Sequence, residues 1–255
     1  MKKIMFGFVV VAVMAVILVA GCQSANVAQN VYNDGVFTAF SDATQRGYTR
    51  IDITIEDDTI IAAQAAGFDG LGLEKQDTYR YAPFLEAMEE LPKRIVEQNS
   101  WDIDTVSDAT TSSREARMAT LRALQMARIN PTNTAQFFDG TFMAVSEPVD
   151  LAGRGWSIAW VTIANDKITD VIIHDTTPER DDAGSVIPNQ FVIKNVDAAS
   201  PEFYPFPAYH EARVELAERF VAANSDTVDG FTGATNTSTN AMIAVARALE
   251  MARRK

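Results

Sequence analysis

Asp229-Gly230-Phe231-Thr232-Gly233-Ala234-Thr235 leads through Asn236-Thr237-Ser238-Thr239-Asn240 into an apolar helical pattern. A weaker copy, Asp104-Thr105-Val106-Ser107-Asp108-Ala109-Thr110, does the same upstream. Arg122-Ala123-Leu124-Gln125-Met126-Ala127-Arg128 recurs as Arg247-Ala248-Leu249-Glu250-Met251-Ala252-Arg253. From 104 to 229 and from 122 to 247, the displacement is 125 positions in each case. Equal displacement over so many identities reads as a tandem duplication.

Small and hydroxylic residues ahead of a helix suit its N-terminus, where backbone N–H groups lack partners. That end carries partial positive charge and commonly receives phosphate. Gly233, without a Cβ, permits close approach of a ligand to the backbone. The plainer reading is an ordinary helix cap with a turn. Repetition of the whole pattern, from leading Asp to terminal Thr, weighs against that.

The Asp-x-x-Ser/Thr-Gly-Ala-Thr pattern resembles the flavinylation motif of covalent FMN-binding domains. These occur in sodium-translocating NADH:quinone reductase, the Rnf complex and flavin lipoproteins of bacterial extracellular electron transfer. The resemblance implies FMN joined by a phosphoester to the final Thr, installed from FAD by a separate magnesium-dependent flavin transferase. The acceptors would be Thr235 and Thr110, giving up to two flavins. Asp229 and Asp104 would be the leading acids, Thr232 and Ser107 the hydroxyl positions, and Ala234 and Ala109 the small residues before each acceptor. The first copy departs from the pattern with Asp108 in place of Gly233. A carboxylate beside a phosphoester is unfavourable by about 1 kcal/mol at 4 Å in bulk water, and by more in a less polar site. Of the two, Thr235 would accordingly be the better-matched acceptor.

Residues 1–21 read as an export leader. Lys2 and Lys3 precede an apolar run from Ile4 to Leu18, and Val19-Ala20-Gly21 stand directly before Cys22. This resembles the bacterial lipobox, in which the Cys is lipidated. The alternative is a plain transmembrane anchor, for which the run is short, since spanning takes about 20 apolar residues. The expectation is a chain held by lipid at Cys22 on the extracytoplasmic face of the cell membrane, with residues 22–30 as tether.

Loss of Lys2 and Lys3 takes the formal charge from −12 to −14. An acidic surface argues against nucleic acid and against docking on anionic lipid. It suits a cationic partner, and equally plain solubility. With Cys22, the only cysteine, committed to lipid, no disulfide, thiolate nucleophile, iron–sulfur cluster or c-type haem site is expected. His174 and His210 are the only histidines, and no His–carboxylate metal cluster is visible. Redox chemistry would have to come from an organic cofactor.

The fold class expected is α+β, with two repeated domains, 31–129 and 133–255, each an antiparallel meander packed with helices. Asp34–Phe40, Ile51–Ile55 and Thr59–Ala63 read as strands, with Glu56-Asp57-Asp58 a hairpin turn. Asp139–Val145, Ile158–Ile163 and Ile168–Ile173 repeat them, with Asn165-Asp166-Lys167 the turn. Tyr81–Glu97 reads as a helix that Pro92 breaks or kinks. Thr176–Pro207 reads as mostly loop around one strand, Gln190–Ile193. A helix follows from about Tyr209 to Ala223, with Val214, Leu216, Phe220 and Val221 on its apolar positions. Asn130–Asn133 is a joint short enough to keep two cofactors near each other.

Tyr48 and Trp156 occupy equivalent places and are candidates either for stacking on a flavin ring or for core packing. Arg114 and Arg117 are candidates for a phosphate or for a solvated helix face. The leading function is a membrane-tethered electron carrier. Its partners would be the flavin transferase, a membrane dehydrogenase or quinol as donor, and a small-molecule or extracellular acceptor. The alternative is a binding or scaffolding lipoprotein whose motifs only cap helices. A reductase of small acceptors such as fumarate would need a further domain that the length does not provide.

Overall fold

Two pairs of residues with positive φ set the register of the sheets. Asp57 and Asp58 stand at φ 47° and 61°, and Asn165 and Asp166 at 52° and 61°. Two successive left-handed residues make the turn that matches strand twist in a tight hairpin. In the computed structural model, which describes residues 30–146 and 155–254, each turn joins the second and third strands of an antiparallel meander. The leader, Cys22 and the tether as far as residue 29 lie outside the described residues.

The first half comprises β1 (Gly35–Phe40), β2 (Tyr48–Glu56), β3 (Thr59–Phe68), α1 (Ala82–Gln98) and α2 (Thr110–Ala127). The second comprises β4 (Gly140–Val145), β5 (Ser157–Ala164), β6 (Lys167–Arg180), β7 (Val186–Ile193), α3 (Pro207–Ala223) and α4 (Thr235–Ala252). The protein is α+β, with two antiparallel sheets, ordered β1-β2-β3 and β4-β5-β6-β7, and four helices. In each half the last helix packs on the first two strands and the preceding helix on the third. Asn99 and Asn224 close α1 and α3 in left-handed conformation. Their side-chain oxygens accept from the N–H of Ile60 and Ile168, at 2.8 and 2.7 Å, tying each helix end to a strand.

Burial differs between the sheets, as the sequence pattern requires. Ile51, Ile53 and Ile55 of β2 face the helices and are buried, while Asp52 and Thr54 between them are part-exposed. On β5 both faces are buried: Ala159, Val161 and Ile163 pack toward the helices, Ile158 and Trp160 toward the first half. The continuous apolar run there reflects a strand covered on both sides. Trp156 and Trp160 donate their indole N–H to the carbonyls of Leu71 and Thr44, at 2.8 and 3.1 Å. Arg122, nearly buried, donates to the carbonyls of Phe40 and Asp139 and pairs with Asp42 at 2.6 Å. The two halves are thus joined by a shared core and by satisfied polar groups.

Several expectations change. Helix α1 runs through Pro92 without interruption. Leu91 and Ile95, both fully buried beside it, hold the helix on the core against the cost of a missing N–H, about 3 kcal/mol. Strand β6 continues to Arg180 through Pro178, in what read as loop. Beyond Asp175, which lies opposite Ser157 at the start of β5, β6 pairs only with β7, and the register slips between Pro178 and Arg180. A bulged edge is where a strand accepts proline. Val214 is 51% exposed, while Leu216 and Phe220 are buried as expected. The joint at 130–133 follows the C-terminal end of α2, whereas Thr110 and Thr235 stand at helix N-termini, about 27 Å away along 18-residue helices. Its shortness therefore does not set the spacing of the two threonines.

Candidate functional site

Thr110 and Thr235 are each the first residue of a helix, and both are exposed. The residues before them, Ala109 and Ala234, take the N-cap position and are buried, and neither provides a side-chain cap. Alanine is a poor cap, and the hydroxyls that would do better point elsewhere. Ser113 and Ser238, one turn in, accept from the N–H of Val106 and Phe231 and donate to the carbonyls of Ala109 and Ala234, at 2.9 to 3.0 Å. This clamp folds the motif loop back on its helix, and no side chain caps the helix start beside each exposed threonine. Ser107 and Thr232 are exposed, as are Asp104 and Asp229.

Asp108 and Gly233 both have positive φ, 59° and 87°. A Cβ on Gly233 would find only the Ala208 methyl, at 3.7 Å. Among the protein's own atoms nothing crowds this position, so the positive φ is what favours glycine there, and Asp108 tolerates the same turn with some strain.

Two further repeated features escape a reading centred on the motif. Arg94 of α1 donates to the carbonyls of Asp104 and Thr105, at 3.0 and 2.8 Å. Arg219 of α3 donates to those of Asp229 and Gly230. The 125-residue displacement relates both arginines, and it was the signal that could have found them. The second feature is a lysine between two rings. Lys194 places its ammonium 4.5 and 4.7 Å from the ring centroids of Tyr204 and Tyr209. Lys75 sits 5.1 and 4.9 Å from Tyr79 and Phe84, again 125 positions earlier for the aromatics. Burial holds the Lys75 ammonium below its usual range, with Glu115 and Asp69 pulling it back up. Burial likewise pushes the Tyr209 hydroxyl up to about 12.

In the second half these parts enclose a cleft. One lobe, of about 310 Å³, is lined by Thr235, Gly233, Ala234, Phe206 and Tyr209. The other, of about 370 Å³, is lined by Trp156, Asp175, Thr176 and Asn240. Lys194, Tyr204, Asn236 and Thr237 border both. At its floor the nearly buried Asp175 accepts from Thr237, at 2.8 Å, and from Ser157, and pairs with Lys194 at 3.2 Å. These residues fit a phosphorylated, planar cofactor. An exposed hydroxyl, uncapped helix N–H groups and a lysine stand at one lobe, and aromatic walls line both.

The first half is built differently. Thr49 donates to Glu115 at 2.8 Å, where the second half has Ser157 and Asp175. Burial raises the Glu115 carboxyl above its usual range, opposed by Thr49 and Lys75. The cavity beside Lys75, about 480 Å³, is lined by Gly67, Phe84 and Met88 but not by Thr110. Tyr81 instead donates its hydroxyl to the Asp108 carbonyl beside that threonine.

Of the other candidates, Trp156 borders the cleft, while Tyr48 stacks on Phe68, 4.8 Å between centroids, on the side facing the second half. Arg117 pairs with Asp102 and lies over Trp101, and Arg114 is exposed. His210 stacks on Phe203. Among the described residues no group of three or more His, Cys, Asp or Glu is placed to hold a metal, and no helix is long and apolar enough to cross a membrane.

Residues 156–250 match the model of the FMN-binding domain family. The match supports an FMN-binding domain in this segment, with FMN as its cofactor, and so a flavoprotein. It contains Thr235, Asp175 and Lys194. The crystal structure of the CPE2226 protein from Clostridium perfringens is similar over 38% of this chain and 88% of that one, at 23% identity and a TM-score of 0.35. No curated protein matches the chain.

Proposed function

We propose that the protein is an electron carrier whose FMN is bonded through its phosphate to Thr235. The observation that carries this reading is the placement of the Thr235 hydroxyl, exposed at an uncapped helix start and lining one cleft with Lys194 and Tyr204. Lys194 and the first-turn N–H groups would hold the phosphate. Tyr204, Phe206 and Trp156 would flank the ring. The flavin supplies the electron chemistry, and the protein supplies attachment, orientation and a defined electrostatic setting. Asp175, by pairing with Lys194, would fix where the cation sits.

Thr110 is proposed as a second acceptor, on a duplicated and more divergent unit. The lipobox-like sequence at Cys22 supports a lipid tether on the extracytoplasmic face. A membrane dehydrogenase or quinol would then be donor, and a small or extracellular oxidant acceptor.

Intact mass of the chain produced with and without a flavin transferase tests the reading. The expected result is an FMN-sized increment only with the transferase, reduced by one on Thr235→Val. A colourless chain with no increment under those conditions overturns it and leaves a binding or scaffolding lipoprotein with helix-capping motifs. Peptide mapping of the same sample reports on Thr110, and labelling at Cys22 reports on the anchor.

A further inference from the structure

Between the two halves lies a groove of about 550 Å³ that the flavin reading does not use. Its floor is apolar: Tyr48 stacks nearly parallel on Phe68, with an interplanar angle of 13°. Met126 and Met251, equivalent residues near the ends of α2 and α4, close it from the two halves. Thr110 and Thr235 lie 16 residues up those helices from the methionines, about 24 Å, so the groove is separate from both threonines.

Among the described residues its lining carries Arg50, Arg247 and Arg253 against one carboxylate, Glu250. These three cations stand together on a chain with a formal charge of −12. None is fully committed within the described residues. Arg50 binds Asp52 through Nε at 3.1 Å, Arg253 binds Glu250 through Nε at 2.8 Å, and Arg247 donates Nη1 to the Val145 carbonyl at 3.0 Å. Each keeps further guanidinium N–H donors for an anion. The floor suits a flat ring, because stacked aromatics and methionine sulfur offer polarizable contact without hydrogen-bond demands.

We propose that this groove binds a planar, polycyclic aromatic dianion, its ring against Tyr48, Phe68 and the methionines and its acidic groups on the arginines. Bound there, the ligand contacts both halves and stabilises their packing.

The test is calorimetric titration of anthraquinone-2,6-disulfonate into the full chain produced without flavin transferase. One saturable site per chain is expected. Arg50→Gln and Arg247→Gln, at part-exposed and exposed positions, should each weaken it about tenfold, as loss of a charge-assisted bond implies. Thr235→Val should leave it unchanged and thermal unfolding should shift upward with ligand. No saturable binding, binding indifferent to both arginine substitutions, or binding lost on Thr235→Val would overturn the proposal. Because the protein titrated carries no flavin, its failure is distinct from failure of the flavin reading.

Discussion

Lys194 holds its ammonium 3.2 Å from the Asp175 carboxylate, with only 15% and 10% of the two side chains exposed. Removing one member of a pair that lies almost out of water leaves the other uncompensated. Asp175→Ala should cost about 3 kcal/mol of stability in denaturant unfolding. It should also lower FMN incorporation at Thr235 more than Ser157→Ala does, because only the first change frees Lys194. Equal incorporation in both would show that the pair does not position the site.

Arg219 and Arg94 donate to motif-loop carbonyls. Both are part-exposed, so their replacement should cost only about 1 kcal/mol each. Arg219→Ala should nonetheless slow flavinylation of Thr235 several-fold, with Arg219→Lys rescuing part of the rate. Hydrogen exchange at residues 229–234 should rise in step. A slower reaction without faster exchange would point to direct contact with the transferase instead.

Backbone conformation makes opposite predictions at the two copies. Gly233→Ala places a Cβ at φ 87° and should cost about 1–2 kcal/mol although the space is open. Asp108→Gly relieves the same strain at φ 59° and removes a carboxylate near Thr110. Mass spectrometry should find flavin loading reduced at Thr235 by the first change and raised at Thr110 by the second.

His174 gives a pH test. Burial, helped by Arg213 and opposed by Asp175, lowers its folded-state pKa below the usual 6.5, and Nδ1 is buried without a partner among the described residues. The unfolded chain therefore binds the proton more readily, so this residue makes stability rise with pH from the folded pKa up to about 6.5. The difference in Tm between the wild type and His174→Asn should grow in the variant's favour as pH falls through that window. A constant difference would place the ring in water.

The strands were legible because period-two alternation and paired turn residues are local properties, as in Ile51–Ile55 and Asp57-Asp58. Pro92 and Pro178 misled because proline's local cost was outweighed by Leu91 and Ile95 in one case and by an edge position in the other. Tyr48 and Trp156 read alike as candidates for ring stacking or core packing, and only the packing of the halves separates them, with Trp156 bordering the cleft and Tyr48 turned to the other half. Lys194 was missed altogether, because its partners come from β6, the loop before α3, and α3 itself.

By itself the sequence determined the two α+β halves and the position of each threonine at a helix start, since helix onset and hairpin register depend on residues a few places apart. Only the tertiary structure decided that Thr235 shares a cleft with Lys194 and Asp175, while the cavity beside Lys75 is not lined by Thr110. Such a cleft depends on through-space packing of distant segments, which no local pattern encodes.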